Sequence, residues 1–394
     1  MTPICRSADA IEKILAADHP ASAGSVNQLT MANTTGILPR HSIELDARTS
    51  AGVERVNHHP PAIADSLSIT MKPNRFVLTG RTIICSLWLS FFLELIVAPG
   101  LGASAQPNPL QIALLKWAPN LTTTFETGAH PRGLAFDGTY IWIANVASNN
   151  VTKLRACDGA LQSTYAVGDQ PYGVAFDGAN IWVANHGSGD LTKLRASDGM
   201  LLGTFPVGTG PAGVVFDGAY IWVVNHGDNN VVKVRASDGI VVGSYTVGQG
   251  PKFIAFDGAN VWVTNEPDNS VTKLRVSDGM VEGTFTVGNS PEGVAFDGSS
   301  IWVANSLDNN VTKLRASDGT VLGTFDAGEE PYGLAFDGVN IWVANEESNM
   351  VTKLLAKSGA LQGTYPVGSG PYAVAFDGAN IWVANTLSNT VSKL

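Results

Sequence analysis

The sequence predicts an all-β fold, a seven-bladed β-propeller of 40-residue, four-stranded blades, and three observations predict it. Proline recurs every 40 residues without an insertion, at positions 131, 171, 211, 251, 291, 331 and 371. A fixed period of this length is typical of repeat architectures. Each unit contains four short apolar runs separated by turn signals, as four antiparallel strands require. One Trp and one Phe also recur at fixed places in every unit.

One repeat shows the four predicted strands in order. Strand A covers Gly173 to Phe176 and strand B covers Ile181 to Ala184. Strand C covers Leu191 to Ala196 and strand D covers Thr204 to Val207. The Asp-Gly pairs of the A-B and C-D connections suit tight turns, because Gly tolerates positive φ and Asp bonds the backbone that follows it.

The two ends of the repeat region, residues 121–394, predict how the ring closes. Strands A, B and C occur seven times, but the chain stops at Leu394 before a last strand D. A strand D pattern, Thr123 to Gly128, instead precedes the first strand A. We therefore expect this N-terminal strand to complete the last blade. Such closure removes open sheet edges.

The repeated side chains divide into a predicted core and a predicted rim. An aromatic side chain buries roughly 150 to 250 Å², so the series Trp142 to Trp382 and Phe136 to Phe376 are interpreted as packing between blades. The Lys and Arg of the Thr-Lys-Leu-Arg phrase in strand C are interpreted as a solvated outer rim.

Charge limits the possible partners. The chain carries a formal net charge of -10, whereas phosphate contacts need clustered Lys and Arg. No nucleic-acid partner is expected, and no cofactor is predicted.

The N-terminal part predicts export. Residues 1–70 show no sustained periodicity and are interpreted as an untranslated segment, with translation starting at Met71, or as a disordered extension. Residues 71–105 combine a basic stretch, an apolar run and Ala103-Ser-Ala105, which is typical of a secretory signal peptide. The alternative is a membrane anchor, although the run is short and contains Glu94.

The expected location follows from this assignment. Residues 106–120 are a predicted linker, and the protein is expected to be secreted or periplasmic. A membrane partner is expected only if the segment 82–98 is not cleaved.

The repeat phrases resemble a known family. Ile-Trp-Val-Ala-Asn, which reads Val261-Trp-Val-Thr-Asn265 in one copy, resembles the Tyr-Val-Thr-Asn signature of the YVTN family of β-propeller repeats. The surrounding Val-Gly-x-x-Pro-x-Gly-Val-Ala-Phe-Asp-Gly is similar to that family and to its YncE-like and NHL-like relatives. The resemblance covers residues 121–394 and implies an exported binding or scaffold protein.

A more distant resemblance is to virginiamycin B lyase-like propellers. It implies a metal-assisted opening of a cyclic ester through His and Glu. Repeats of that group typically carry Glu after the Trp-x-x unit, whereas all seven copies here carry Asn, from Asn145 to Asn385.

Comparison of the seven copies predicts the functional face. The A-B and C-D turns scarcely vary, whereas the D-A and B-C loops differ between blades. These two loops emerge on one face of a propeller, and loops on a rigid scaffold often carry function. The candidate ligand-binding residues directly follow the prolines: Arg132, Tyr172, Lys252, Glu292, Tyr332 and Tyr372. They suit a protein, peptide or carbohydrate ligand, and unconstrained drift is the alternative.

A second constellation could form a metal site. His186, His226 and Glu266 share one B-C loop position in three successive blades, with His130 on the same face. Packed sheets lie about 10 Å apart and Zn-N bonds are about 2.0 Å, so these ligands meet only if their loops lean together.

The sequence leaves three functions open. The first is a non-enzymatic binding or scaffold module that uses the D-A and B-C face. The second is a metal-assisted lyase or hydrolase, and the third is a structural protein of a cell envelope.

Overall fold

The computed structural model describes residues 122–394 and, before them, the backbone of three short strands. The chain divides into two compact units, Met1–Ile112 and Ala113–Leu394. The three short strands belong to the first unit and form one antiparallel sheet, with the last of them in the middle: Glu44–Asp46, Thr70–Lys72 and Arg75–Val77.

The predictions for the N-terminal part concern residues that the structure largely does not describe. Apart from those three strands, the extension (1–70), the signal peptide or anchor (71–105) and the linker (106–120) lie outside the described residues. Within the described part of the chain, no helix has the length and apolar character needed to span a membrane.

The second unit consists of seven four-stranded antiparallel sheets, which confirms the seven-bladed propeller. The strands A of neighbouring blades contact one another around the axis. They are Pro131–Phe136, Pro171–Phe176, Pro211–Phe216, Pro251–Phe256, Pro291–Phe296, Pro331–Phe336 and Pro371–Phe376. The strands B are Tyr140–Asn145, Asn180–Asn185, Tyr220–Asn225, Asn260–Asn265, Ser300–Asn305, Asn340–Asn345 and Ile381–Asn385.

The outer half of each blade contains strands C and D. The strands C are Asn150–Arg155, Asp190–Arg195, Asn230–Arg235, Ser270–Arg275, Asn310–Arg315, Met350–Leu355 and Thr390–Lys393. The strands D of blades 1 to 6 are Leu161–Ala166, Leu201–Pro206, Val241–Thr246, Val281–Thr286, Val321–Asp326 and Leu361–Pro366. Two B-C loops also contain a short 3-10 turn, Val146–Ser148 and Ser306–Asp308.

Strands A and D begin earlier than predicted, and β-bulges are the reason. In blade 2, strand D starts at Leu201, because Leu194 pairs with Leu201 while Lys193 pairs with Gly203. The extra residue interrupts the alternation that the sequence pattern relies on.

The N-terminal strand closes the ring as predicted. Thr123–Glu126 pairs antiparallel with Thr390–Lys393 and supplies strand D of blade 7. Phe125 stacks on Trp382, with ring centroids 5.7 Å apart. The glycine of the next C-D turn, Gly159, lies so close that a Cβ there would collide with Phe125.

The repeated Trp residues form the core between blades, as predicted. Trp182 is fully buried and packs with Ile221 and Val223 of blade 3. Its indole Nε1 donates a 2.7 Å hydrogen bond to Asp177, in the A-B turn of its own blade. All seven blades repeat this bond. The Asp of Phe-Asp-Gly therefore joins the turn to the core.

The interpretation of strand C lysines as a solvated rim is wrong. Lys193 is only 8% exposed, and its Nζ donates a 2.7 Å bond to the carbonyl of Ala236 in the next blade. The same Nζ lies 4.8 Å from the ring centre of Trp182. Six of the seven equivalent lysines bond a backbone carbonyl of the next blade. The arginine two residues later lies on the rim, and Arg195, for example, is exposed.

The ring closure predicts a stability cost for Phe125→Ala. Removal of a packed Phe ring costs about 3 kcal/mol, and here it also loosens the contact between the chain ends. Urea unfolding of the full chain measures the cost. The control is Glu126→Ala, which removes an exposed side chain of the same strand. Equal stability of the two variants would contradict this closure.

The buried lysine predicts a second cost. Lys193→Met keeps the aliphatic stem but leaves the Ala236 carbonyl without its donor, so we expect a loss of about 2 kcal/mol in the free energy of unfolding. Arg195→Met, two residues away, should change it little, because exposed ion pairs contribute little. Chemical denaturation measures both variants. A larger loss of unfolding free energy in Arg195→Met than in Lys193→Met would contradict the structural role of the buried lysine.

Candidate functional site

The candidate site begins with an irregularity that every strand A shares. In blade 1, Pro131 pairs with Asn145 and Leu134 with Ile143, so strand A contains one extra residue just after the proline. Bulges of this kind re-aim side chains and often lie beside functional sites. A Cβ on Gly133 would collide with the carbonyl oxygen of Tyr172 in the next blade. Neighbouring strands A are therefore too close here for a second side chain.

Hydrogen bonds join the D-A and B-C loops, the two loops of the predicted functional face. The backbone N-H of Val146 donates to the carbonyl of His130 at 3.0 Å, and His186 donates to Gln170 at 2.9 Å. These bonds join the B-C loop to the D-A loop in blades 1 and 2. The loops surround a cavity of about 430 Å³ at the propeller axis, which we call the funnel.

One side of the funnel is a continuous stack of aromatic rings and one cation. The Arg132 guanidinium carbon lies 4.4 Å from the ring centre of Tyr172 and 4.6 Å from that of Tyr372. Tyr372 also contacts Tyr332, with ring centroids 5.0 Å apart. On the other side, Tyr172 stacks on His186 at 4.8 Å. The structure therefore brings together the residues that follow four of the prolines.

The opposite side is a buried ion-pair network. Lys252 Nζ lies 2.6 Å from Glu292 and 2.9 Å from Glu266. Ser290 donates a 3.1 Å hydrogen bond to the other oxygen of Glu266. Burial lowers the pKa of Lys252, but the two carboxylates outweigh it, and the net pKa is raised. Lys252 is therefore a fully ionised cation whose charge is already neutralised.

Glu292 was predicted to bind the ligand, but in the structure it is buried outside the cavity. Its side chain is 1% exposed and does not line the funnel. Burial raises its pKa to about 7, because the effect of burial exceeds that of Lys252. Its second oxygen, Oε2, has no hydrogen-bond partner among the described residues. Glu292 supports Lys252 from below, and Lys252 is the residue that faces the cavity.

Two charged or aromatic side chains of the funnel were not predicted. Glu346 occupies the B-C loop position that His186, His226 and Glu266 also occupy, so comparison of all seven copies could have found it. Burial raises the pKa of Glu346, against an opposing effect of Arg132 and a hydrogen bond from Tyr332.

Phe253 is the second unpredicted residue. It stands where five blades carry glycine, and its ring centroid lies 6.0 Å from that of Tyr372, three blades away. This replacement of glycine by phenylalanine is the sequence feature that could have indicated Phe253 as a funnel residue. Phe253 and Tyr372 therefore meet across the axis of the ring.

The three candidate metal ligands do not form one cluster. His186 and His226 are neighbours, with ring centroids 6.4 Å apart, but both oxygens of Glu266 bind Lys252 and Ser290. In residues 122–394, no three His, Cys, Asp or Glu side chains are grouped closely enough to share a metal ion. Burial, followed by His226 and Arg132, lowers the pKa of His186, so its ring is neutral at pH 7.

The raised pKa of Glu292 predicts that the free energy of unfolding depends on pH. The unfolded chain ionises this carboxyl near pH 4.5, whereas the folded protein keeps its proton until about pH 7. Stability is therefore unaffected below pH 4.5 and falls as the pH rises to about 7. Relative to Glu292→Gln, the wild type should lose up to about 3 kcal/mol over this window.

Unfolding free energies measured at several pH values test this prediction. Glu347→Gln replaces an exposed glutamate of a neighbouring blade and is the matched control. If the two variants follow the same pH dependence relative to the wild type, Glu292 is not its source.

Comparisons with known proteins agree with the fold. The structure is similar to a chain of Kuenenia stuttgartiensis hydrazine synthase, with a TM-score of 0.63 and 21% identity over 68% of this chain and 97% of that one. It is also similar to a streptogramin B lyase structure, with a TM-score of 0.60 and 19% identity over 69% of this chain and 96% of that one. No family model and no curated protein matches the sequence. The resemblance to YVTN repeats therefore stays a prediction, and the solved structures establish the β-propeller fold alone.

Proposed function

We propose that this chain is a non-enzymatic binding module whose ligand docks in the funnel. One observation carries the proposal: the side chains that differ between blades converge on one cavity, whereas the side chains that repeat are used to build the ring. Arg132, Tyr172, Lys252 and Tyr332 all line that cavity. Its volume of about 430 Å³ is in the range of small-molecule sites.

The chemistry of the lining supports binding of a polar ligand with an apolar or aromatic part. Burial raises the pKa of both Tyr332 and Tyr372, so both phenols keep their protons, and Tyr332 uses its proton in the hydrogen bond to Glu346. Aromatic rings such as these supply contact area together with a polar end. A small organic molecule or an inserted peptide side chain fits this lining.

The scaffold beneath the funnel is rigid, which also favours binding. The asparagines at the ends of the strands B are fully buried and join strands within the blade; Asn185, for example, donates to Asp190 and Thr192. A cavity whose walls are held in this way loses little conformational entropy when a ligand binds.

The proposal predicts that Tyr332→Ala abolishes ligand-induced stabilisation. Thermal unfolding of the full chain is screened against sugars, short peptides and small organic acids. A ligand at about 100 times its Kd stabilises by about 2.7 kcal/mol. The matched control is Tyr140→Ala, at the start of strand B on the opposite face.

The expected result is a ligand-induced shift in the wild type and in Tyr140→Ala, and no shift in Tyr332→Ala. Each variant is compared with its own ligand-free state, because both substitutions also change stability. A ligand that stabilises Tyr332→Ala as strongly as the wild type would place its site outside the funnel and contradict the proposal.

A further inference from the structure

Arg132 differs from every other arginine in residues 122–394. The other five each form an ion pair with the aspartate three residues later, at 2.5 to 3.0 Å: Arg155, Arg195, Arg235, Arg275 and Arg315. Within the same residues, Arg132 forms no ion pair and no hydrogen bond, and its Nε is buried without a partner. An unpaired buried donor on a cation is energetically costly. The cost falls on Nε, and the terminal N-H donors of Arg132 also have no hydrogen-bond partner among these residues.

The surroundings of Arg132 determine which of its surfaces a ligand can reach. Tyr172 and Tyr372, from the blades on either side, lie within 4.6 Å of its guanidinium carbon. The N-H donors of a guanidinium point outward in the plane of the group. A ligand that accepts hydrogen bonds from Arg132 must therefore approach the edge of the guanidinium.

We propose that Arg132 binds the carboxylate of a small monocarboxylate ligand in the funnel, an inference that rests on the binding function proposed above. The planar fork of a guanidinium donates two parallel hydrogen bonds to the two oxygens of a carboxylate. The Tyr rings exclude water from this contact, which strengthens it.

The charges around the funnel favour a single negative charge on the ligand. Lys252, the other cation that lines the cavity, is paired with Glu266 and Glu292. Glu346 also lines the cavity. Of the two cations, Arg132 is the one without an ion pair in residues 122–394, so a monoanion can pair with it, whereas a dianionic phosphate would face these carboxyl groups without a second free cation.

The rest of the lining indicates the body of the ligand. Phe253, Tyr332 and Tyr372 contact one another in series, with ring centroids 5.0 to 6.0 Å apart. Aromatic groups gain offset stacking and edge contacts with such a surface. A compact aromatic or apolar body attached to the carboxylate would fill the cavity beside Arg132.

Calorimetric titration of the full chain tests this inference with three matched probes. They are 3-phenylpropionate, its uncharged amide 3-phenylpropionamide, and phenyl phosphate. We expect 3-phenylpropionate to bind at least about tenfold more tightly than the amide, as a charge-assisted pair of hydrogen bonds allows. We expect phenyl phosphate to bind more weakly than 3-phenylpropionate.

Four variants identify the residue responsible. Arg132→Gln should weaken binding of 3-phenylpropionate by about tenfold to a hundredfold, and Arg132→Lys should also weaken it, because lysine keeps the charge but not the fork. Arg195→Gln, which removes a rim arginine, should leave the affinity unchanged. Glu346→Gln should increase it, because a competing carboxyl group is removed. The melting temperature of each ligand-free variant shows whether it is folded.

The outcomes separate this inference from the proposed function. Equal affinity for acid and amide, tighter binding of phenyl phosphate, or full affinity in a folded Arg132→Gln variant would overturn the carboxylate assignment. If the amide binds and Tyr332→Ala abolishes its binding, the funnel is still a ligand site and only the ligand class is wrong. If none of the three probes binds, the monocarboxylate inference falls, and the broader screen with Tyr332→Ala decides the proposed function.

Discussion

The burial of one indole per blade is the interaction on which the rest of the structure depends. Trp182 bonds the A-B turn of its own blade through Asp177, packs against strand B of the next blade, and lies beneath the ammonium group of Lys193. A single side chain thus links the turn, the blade and the ring. Every blade depends on its neighbour in this way. Trp382, in the last blade, therefore needs the same packing partners as the other six Trp residues. Phe125, from the other end of the repeats, supplies part of them.

The repeat pattern was sufficient to predict the fold, since a strict period constrains all seven blades at once. The prediction for the strand C lysines failed for a physical reason. Residue type indicates a charge, but it does not show that the aliphatic stem crosses an indole and that the nitrogen reaches a carbonyl 43 residues later, as Lys193 does with Ala236. Long side chains of this kind can be buried along their stems while the charged end finds a partner. That partner lies in another sheet, and only the three-dimensional structure locates it.

Prediction of the site was partial for a similar reason. Variation between copies indicated the D-A and B-C loops as the candidate face, and Arg132, Tyr172, Tyr332 and Tyr372 meet there. Position alone could not distinguish a residue that faces the cavity from one beneath it. Glu292 has the same sequence position as Lys252 but is buried under it. Which of two neighbouring charges faces the cavity depends on the packing of both loops.

The contact between Phe253 and Tyr372 has a consequence for the path of a ligand. These rings belong to blades 4 and 7 and meet across the axis, so they obstruct the central passage that a seven-membered ring of sheets would otherwise leave. A ligand then has to leave through the mouth by which it entered, past the same loops. Its residence time would be governed by the mobility of those loops, and a larger partner would engage the funnel with a protruding tip instead of passing a strand through the ring.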